Sequence, residues 1–362
     1  MVRIKKISLY FSVVLLFLGG VNGGSVSHAH VKVISDNGDR LHLQYSFEEL
    51  SFDELIINGD KYLQPRIQGL VYNQLISIPN LPQLSTSIEI PYGKKAIFYT
   101  EVIAVESYGN IKISPSKGKI TRNLFPESID YTFDEVYNVN ANFPTHPVSI
   151  DLPFIFRGVK GSTLTLVPFA YNPRQSTLEF YSVIDVFVEF VDDPSERDLI
   201  QSTITTPFSQ ILDGFFINNP SSRYESINDN GSLIIIADDD YMDVLQPLVN
   251  WKNMRGLHTQ IHSVQVIGNS PDLIKAFIFD KYMNDAISFV LLVGNTAQVQ
   301  TFRPENTTPA DPMYGYLDGD DAYPEVFVGR FSADTIDDVI TQVDRVIRYE
   351  RDMKSDAIWY SE

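Results

Sequence analysis

Cysteine is absent from this sequence of 362 residues. Its absence excludes disulfide bonds, so the fold has to be held by its hydrophobic core, with bound metal as the other available support. It also excludes a thiolate nucleophile within the chain. Basic residues are scarce as well, since 28 Lys and Arg against 46 Asp and Glu give a formal net charge of -18. That balance disfavours nucleic acid as a partner, because phosphate binding needs clustered Lys and Arg.

Long apolar runs are also lacking, apart from one near the amino terminus at residues 7–18. This run follows Arg3, Lys5 and Lys6 and precedes several small residues, which is the three-part pattern of a secretory signal. A membrane anchor is the alternative, but the run falls short of the roughly 20 residues that a spanning helix needs. We therefore predict a cleaved signal peptide over residues 1–29, an exported protein, and no transmembrane span once the signal is removed.

Residues 30–217 carry a β-rich pattern. Apolar and polar residues alternate on both sides of Asp36–Asp39, which predicts a hairpin with a turn suited to positive φ. Further strands are predicted at residues 96–105, 111–113, 162–168 and 183–191. Spacing of this kind is typical of an antiparallel sandwich or barrel.

Residues 218–231 are polar and rich in turn formers, and we interpret them as an exposed linker. From 232 to 362 the pattern alternates between strands and helices. The predicted strands are 233–237, 258–266, 287–293 and 325–331. Three helices are predicted: one that ends near Met254, one that begins at Ser270, and one that covers 336–347. Pro247 makes the first of them start late or kink. This alternation predicts an open, doubly wound α/β sheet.

The acidic turn at residues 317–325 is the best candidate site. Three Asp and one Glu lie close together there, an unfavourable arrangement without a counter-charge. Hard cations such as Ca²⁺ prefer carboxylate and carbonyl oxygens on a tight loop, although the spacing is not that of an EF-hand. A solvated acidic hairpin is the alternative. Asp238, Asp239 and Asp240, by contrast, are interpreted as helix caps.

Several stretches of the second region occur in the order and spacing of a known family: residues 233–239, 248–257, 290–294, 323–331 and 342–351. Together they resemble the gingipain-type cysteine peptidases (clan CD, family C25). Residues 106–108 and 111–118 more loosely resemble the propeptide of that family. The resemblance implies a β-rich propeptide followed by an incomplete caspase-like peptidase domain.

Catalytic residues are not expected in this chain. In the family, the catalytic Cys and His lie further along than Glu362, so the resemblance implies the front of a longer precursor. His258 and His262 are interpreted as structural or surface residues, and a Gly-x-Ser-x-Gly elbow is absent. The intact precursor would hydrolyse peptide or protein substrates through a Cys-His dyad, with the intramolecular propeptide masking the cleft. The implied setting is the exterior or envelope of a bacterium.

The resemblance also assigns roles to individual residues. Asp321 and Glu325 would be side-chain ligands of calcium, and Asp318 and Tyr323 would supply carbonyl oxygens. Asn295 stands where the family can have Asp, and its amide oxygen is a weaker ligand.

A processing site is implied at Arg223–Tyr224, because relatives separate propeptide from enzyme after an Arg shortly before the first strand. An ordinary linker arginine is the alternative. The rival function is a non-catalytic secreted binding or inhibitory protein of the same family, and the coding sequence downstream of codon 362 discriminates between the two.

Overall fold

The structure is a computed structural model that describes residues 29–194, 203–218, 226–227, 229–304 and 308–352. Contacts divide the chain into two compact units. The first comprises Met1–Ser85, Ala96–Asp151 and Leu164–Val191, and the second comprises Thr86–Lys95, Leu152–Thr163 and Asp192–Glu362. The second unit therefore includes short segments of the region that the sequence predicts as β-rich.

The strands, in chain order, are β1 Ala29–Asp36, β2 Arg40–Phe47, β3 Ser51–Ile57, β4 Asp60–Arg66, β5 Val71–Tyr72, β6 Ile76–Pro79, β7 Pro82–Glu89, β8 Lys94–Tyr108, β9 Pro115–Lys117, β10 Val148–Ile150, β11 Phe154–Phe156, β12 Val159–Leu166, β13 Phe169–Asn172, β14 Thr177–Asp192, β15 Ile204–Thr205, β16 Ser226–Ile227, β17 Ser232–Ala237, β18 His258–Ser263, β19 Phe289–Val293 and β20 Phe327–Phe331. The α-helices are α1 Thr206–Phe215, α2 Gln246–Met254, α3 Val264–Ile267, α4 Pro271–Asp285 and α5 Ile336–Arg351. Among the helices of the described ranges, none has the length and apolarity that a bilayer span requires.

Antiparallel pairing dominates the first unit, as the sequence predicts. β2 pairs with β1 and with β14, and β14 pairs with β13, all antiparallel. β8 also pairs with β14. The predicted hairpin is confirmed, because β1 and β2 flank a turn in which the Asn37 N–H donates to the Arg40 carbonyl and Gly38 has a φ of 86°.

The predicted strand at 111–113 is wrong. Ile113 makes only an isolated bridge to Leu63. The segment follows Asn110, whose φ of 57° turns the chain, and its hydrogen bonds go to separate partners: the Ile111 N–H donates to Ser176, and the Lys112 carbonyl accepts from Leu63. Ile111 and Ile113 are both buried. Their apolar spacing therefore reflects burial rather than strand pairing.

The second unit contains a four-stranded parallel sheet of order β18-β17-β19-β20. Its strands are short apolar runs, as burial on both faces requires. One face packs Ile234, Ile236 and Leu292 against α4. The other face packs Leu233 and Ile235 against α2 and α5. The predicted open sheet with helices on both sides is thus confirmed.

Helix ends follow the predicted local signals. α2 starts late, with Pro247 in its first turn, where a missing N–H does no harm. Ser270 caps α4 by accepting from the Leu273 N–H. Asp238 likewise accepts from the Asp240 N–H at the start of a 3₁₀ helix, Asp239–Tyr241.

An aromatic cluster joins the β11–β12 hairpin to the rest of the second unit. It contains Phe154, Phe156, Phe208, Phe216 and neighbouring apolar residues, with Tyr323 and Phe327 packed against it. The cluster tolerates no side chain at Gly161. A Cβ there would lie 2.4 Å from Cε1 of Phe216 and 2.8 Å from Cε2 of Phe154.

We predict that Gly161→Ala destabilises the protein by about 1–3 kcal/mol, because the added methyl overpacks two rings. Gly329→Ala is the matched control, since no atom lies within 4 Å of its added Cβ, and it should change the free energy of unfolding by about 0.5 kcal/mol or less. Urea denaturation followed by tryptophan fluorescence measures both. Equal stability of the two variants would contradict the packing assigned to Gly161.

Candidate functional site

The acidic loop, residues 317–325, leads into β20 at the amino-terminal edge of the parallel sheet. Glu325 is fully buried there, with 0% exposure. Its Oε2 accepts from the N–H groups of Leu317, at 2.7 Å, and Asp318, at 3.0 Å. The Glu325 N–H donates to the Gly315 carbonyl at 2.8 Å. Glu325, at the end of the loop, is therefore bonded to the start of the loop through its carboxylate and to Gly315 through its main-chain N–H.

Asp321 ties the acidic loop to the β11–β12 hairpin. Its Oδ1 accepts from the Tyr323 N–H and its Oδ2 from the Ile155 N–H, each at 2.8 Å. The Tyr323 ring stacks on Phe154, with centroids 3.9 Å apart. The loop thus takes its shape partly from residues more than 150 positions away in sequence.

Electrostatics in the loop favour an added positive charge. Burial raises the pKa of Glu325 to about 7, and the neighbouring Asp321 carboxylate adds to this, against the opposing hydrogen bonds from main-chain N–H groups. Burial also raises the pKa of Asp321, with Asp318 and Asp320 contributing in the same direction. A cation would relieve both effects, because an opposite charge stabilises the ionised form.

The loop fits calcium in part. Glu325 Oε1 is buried and has no hydrogen-bond partner among the described residues, so it presents an oxygen that a cation could bind. Within the same residues, however, no group of three or more His, Cys, Asp or Glu is arranged to hold a metal ion. Calcium takes six to eight oxygens. Carbonyl groups or water would therefore have to complete a site built on Glu325 and Asp321.

Asn295 is not brought together with the acidic loop. It follows β19 at the carboxyl edge of the sheet, whereas Glu325 precedes β20 at the amino edge, and the two strands are parallel and in register from Phe289 and Phe327 onwards. Five-residue strands separate the edges by roughly 16 Å, far more than the ~2.3–2.6 Å of a calcium–oxygen contact. Asn295 instead donates to Asp334 at 2.8 Å.

Arg157 is a buried residue that the sequence reasoning missed. It occupies the two-residue turn between β11 and β12 with a φ of 52°, next to Gly158 at 74°, and is 0% exposed. Its guanidinium donates to the carbonyl oxygens of Ile287, Ala286, Glu325 and Thr203. The available signal was an Arg-Gly pair inside the apolar run Phe-Ile-Phe-Arg-Gly-Val, which is a hairpin pattern with one charge at its tip.

The strand order reverses direction at β17, and polar side chains lie at the carboxyl edge of the sheet there. β17 lies between β18 and β19, and crevices beside such reversals bind ligands in open α/β sheets. Gln298 donates to the Tyr241 hydroxyl at 2.6 Å, and Gln265 donates to Asp238 at 3.0 Å. The chain contains no Cys, and His262 is the penultimate residue of β18 at this edge.

The two histidines of the second unit fit structural or surface roles. His258 is exposed at the start of β18. His262 packs edge-on against Phe277, with centroids 4.9 Å apart. Burial, with help from Lys281, lowers the pKa of His262 and so favours its neutral form. Arg223 and Tyr224, the predicted processing site, lie outside the described residues.

Comparisons with known families match nearly the whole chain. Propeptide_C25 matches residues 27–218, more than half of the sequence, and Peptidase family C25 matches residues 226–362. The chain therefore belongs to the C25 peptidase family, with a C25 propeptide region and part of a C25 peptidase region.

Curated relatives come from the bacterium Porphyromonas gingivalis. Gingipain R1 is 32% identical over 329 residues, which cover 88% of this chain and 32% of the relative. Gingipain R2 is 32% identical over 342 residues, covering 91% and 46%. Lys-gingipain is 22% identical over 325 residues, covering 85% and 19%. The chain thus spans less than half the length of these relatives.

A solved structure, the complex of Porphyromonas gingivalis RgpB pro- and mature domains, is similar over 52% of this chain and 97% of its own, with 28% identity and a TM-score of 0.45. A structure that concerns the zymogenic latency of gingipain K from the same organism is similar with 16% identity and a TM-score of 0.40, over 48% of this chain and 98% of its own.

The buried Glu325 predicts a pH dependence in chelator-treated protein. Its pKa is about 7 when folded against an ordinary value of 4.5, so between these values the folded state holds a proton that the unfolded state has released. The free energy of unfolding should therefore fall as pH rises from 4.5 to 7, by on the order of 3 kcal/mol.

Glu325→Gln should remove most of this slope, whereas Glu127→Gln, at an exposed glutamate of the first unit, should keep it. Urea denaturation at successive pH values gives the profiles. A slope that survives in Glu325→Gln would show that another group causes it.

Proposed function

We propose that this chain is the N-terminal portion of a secreted, gingipain-like cysteine endopeptidase zymogen. Its parts are a signal at 1–29, a propeptide at 30–217, a linker at 218–231 and the start of a peptidase domain at 232–362. Family membership supports the class. Within the second unit, Arg157 of the propeptide region donates to Ile287 and Glu325 of the peptidase region, and this contact supports an intramolecular role for the propeptide.

The finer fold assignments belong to the same proposal. A parallel sheet with order β18-β17-β19-β20 and helices on both faces is compatible with a caspase-like domain, in which a Cys and a His would follow later strands. The antiparallel pairs of the first unit are compatible with a sandwich or barrel. The substrates of the intact enzyme would be peptides or proteins, and its setting the exterior or envelope of a bacterium.

Reading the coding sequence past codon 362 tests the enzyme class. An open frame with a His-Gly turn and a later Cys is expected, because peptide hydrolysis by this family needs both side chains. A frame that lacks them would overturn the assignment as an enzyme and leave a non-catalytic family member.

Processing after Arg223 is the next proposal. Limited digestion of the full chain with an Arg-specific protease should cut first between Arg223 and Tyr224, because the sequence predicts an exposed linker there and proteases cut such segments preferentially. Mass spectrometry should find a fragment that begins at Tyr224. Arg223→Ala should delay this first cut at least tenfold, whereas Arg174→Ala, at an exposed turn arginine, should not. A first cut elsewhere in the wild-type chain would contradict the assignment.

Calcium binding at the acidic loop is proposed on the strength of the buried Glu325 and its neighbour Asp321. Millimolar Ca²⁺ at neutral pH should raise the melting temperature by several degrees, since a ligand that binds only the folded state stabilises it. Glu325→Gln and Asp321→Asn should each abolish most of the shift. Asp320→Asn removes one charge from the same loop at an exposed position and should retain it. An equal loss in all three variants would indicate nonspecific charge screening.

A further inference from the structure

Arg157 lies where a helix of the peptidase region ends. Its Nη1 donates to the Ile287 carbonyl at 2.8 Å and its Nη2 to the Ala286 carbonyl at 3.4 Å. These two residues directly follow α4, whose last turn contains no basic residue. The carboxyl end of a helix carries partial negative charge and unpaired carbonyl groups, which a cation stabilises. α4 ends at Ala286 in the left-handed conformation, and Arg157 supplies from the hairpin the cation that the last turn of α4 lacks.

The same guanidinium reaches the start of the neighbouring strand. It donates to the Glu325 carbonyl, two residues before β20. Its Cζ lies 4.5 Å from the ring centroid of Phe208 and 4.9 Å from that of Tyr282, within the range of cation–π attraction. A planar fork with several donors can serve these acceptors together, whereas a lysine ammonium would reach only some of them.

Around the guanidinium, apolar contacts complete the attachment. Phe154 and Phe156 of the hairpin meet Tyr323, at centroid distances of 3.9 and 5.9 Å, and Phe208 stacks on Phe327 at 4.5 Å. A buried charge surrounded by aromatic rings that exclude water is the usual composition of a binding hot spot.

We infer that the β11–β12 hairpin is the anchor of the propeptide, and that Arg157 is the residue by which it recognises the amino-terminal edge of the peptidase sheet. This inference rests on the proposed function, because it assigns the hairpin to a propeptide. The anchor lies at the edge opposite the switch point between β17 and β19. Attachment of the propeptide and blockage of a cleft at the carboxyl edge are therefore separate tasks for separate residues.

The first test uses the folded full chain with a specific protease recognition sequence in place of residues 219–225, nicked after folding. Wild-type fragments should co-elute on gel filtration. Arg157→Met keeps much of the side-chain length but removes the donors, and it should speed dissociation of the fragments at least about 30-fold. Arg157→Lys should fall between them. Arg174→Met, at an exposed turn arginine, should match the wild type, and a wild-type lifetime for Arg157→Met would overturn the inference.

A second measurement keeps the inference falsifiable if Arg157→Met fails to fold. In the intact Arg157→Lys chain, hydrogen exchange should accelerate at least tenfold in residues 281–288 and 317–326, which depend on the guanidinium. Exchange in β2 and β14 of the first unit should stay unchanged. Unaltered exchange, or acceleration everywhere alike, would refute the anchor. Neither measurement involves catalysis, so a reading frame without Cys and His would defeat the proposed enzyme and leave these outcomes intact.

Discussion

A guanidinium buried among main-chain carbonyl groups is the interaction on which the second unit depends. A parallel sheet covered on both faces leaves the ends of its strands and helices as the places where polar groups lack partners. Arg157 satisfies several of them at once, at the end of α4 and ahead of β19 and β20. Burial lowers the pKa of Arg157 to about 10, yet the group stays charged at neutral pH. The penalty of burying it is offset by the many acceptors and rings around it.

The acidic loop is built on the same contact. The hairpin that presents Arg157 also donates the Ile155 N–H to Asp321, and Arg157 itself holds the main chain of Glu325. The hairpin and the cation proposed for this loop would therefore act on the same short stretch of chain. Any effect of the hairpin on cation affinity must be matched by an equal effect of the cation on hairpin docking, because linkage between two binding events is reciprocal.

Local patterns predicted most of the α/β region, because helix caps, proline positions and apolar runs are decided by neighbours in sequence. The segment at 111–113 failed because its alternation has the same appearance whether it arises from strand pairing or from burial. The separation of Asn295 from Glu325 could have been predicted from the sequence. One residue follows a strand and the other precedes one, and in a parallel sheet these positions lie at opposite edges.

Arg157 could not be predicted in this way, since its acceptors at Ile287 and Glu325 lie 130 and 168 residues further along. No periodicity connects such positions.

The long-range contacts of Arg157 also constrain the role of the propeptide region. A segment that only blocked a cleft would leave the core of the enzyme complete without it. A segment that caps α4 and covers Phe327 instead contributes to the folded state of the peptidase region, so its removal must alter stability as well as access. Docking of the hairpin and stability of the peptidase region are then consequences of one set of contacts.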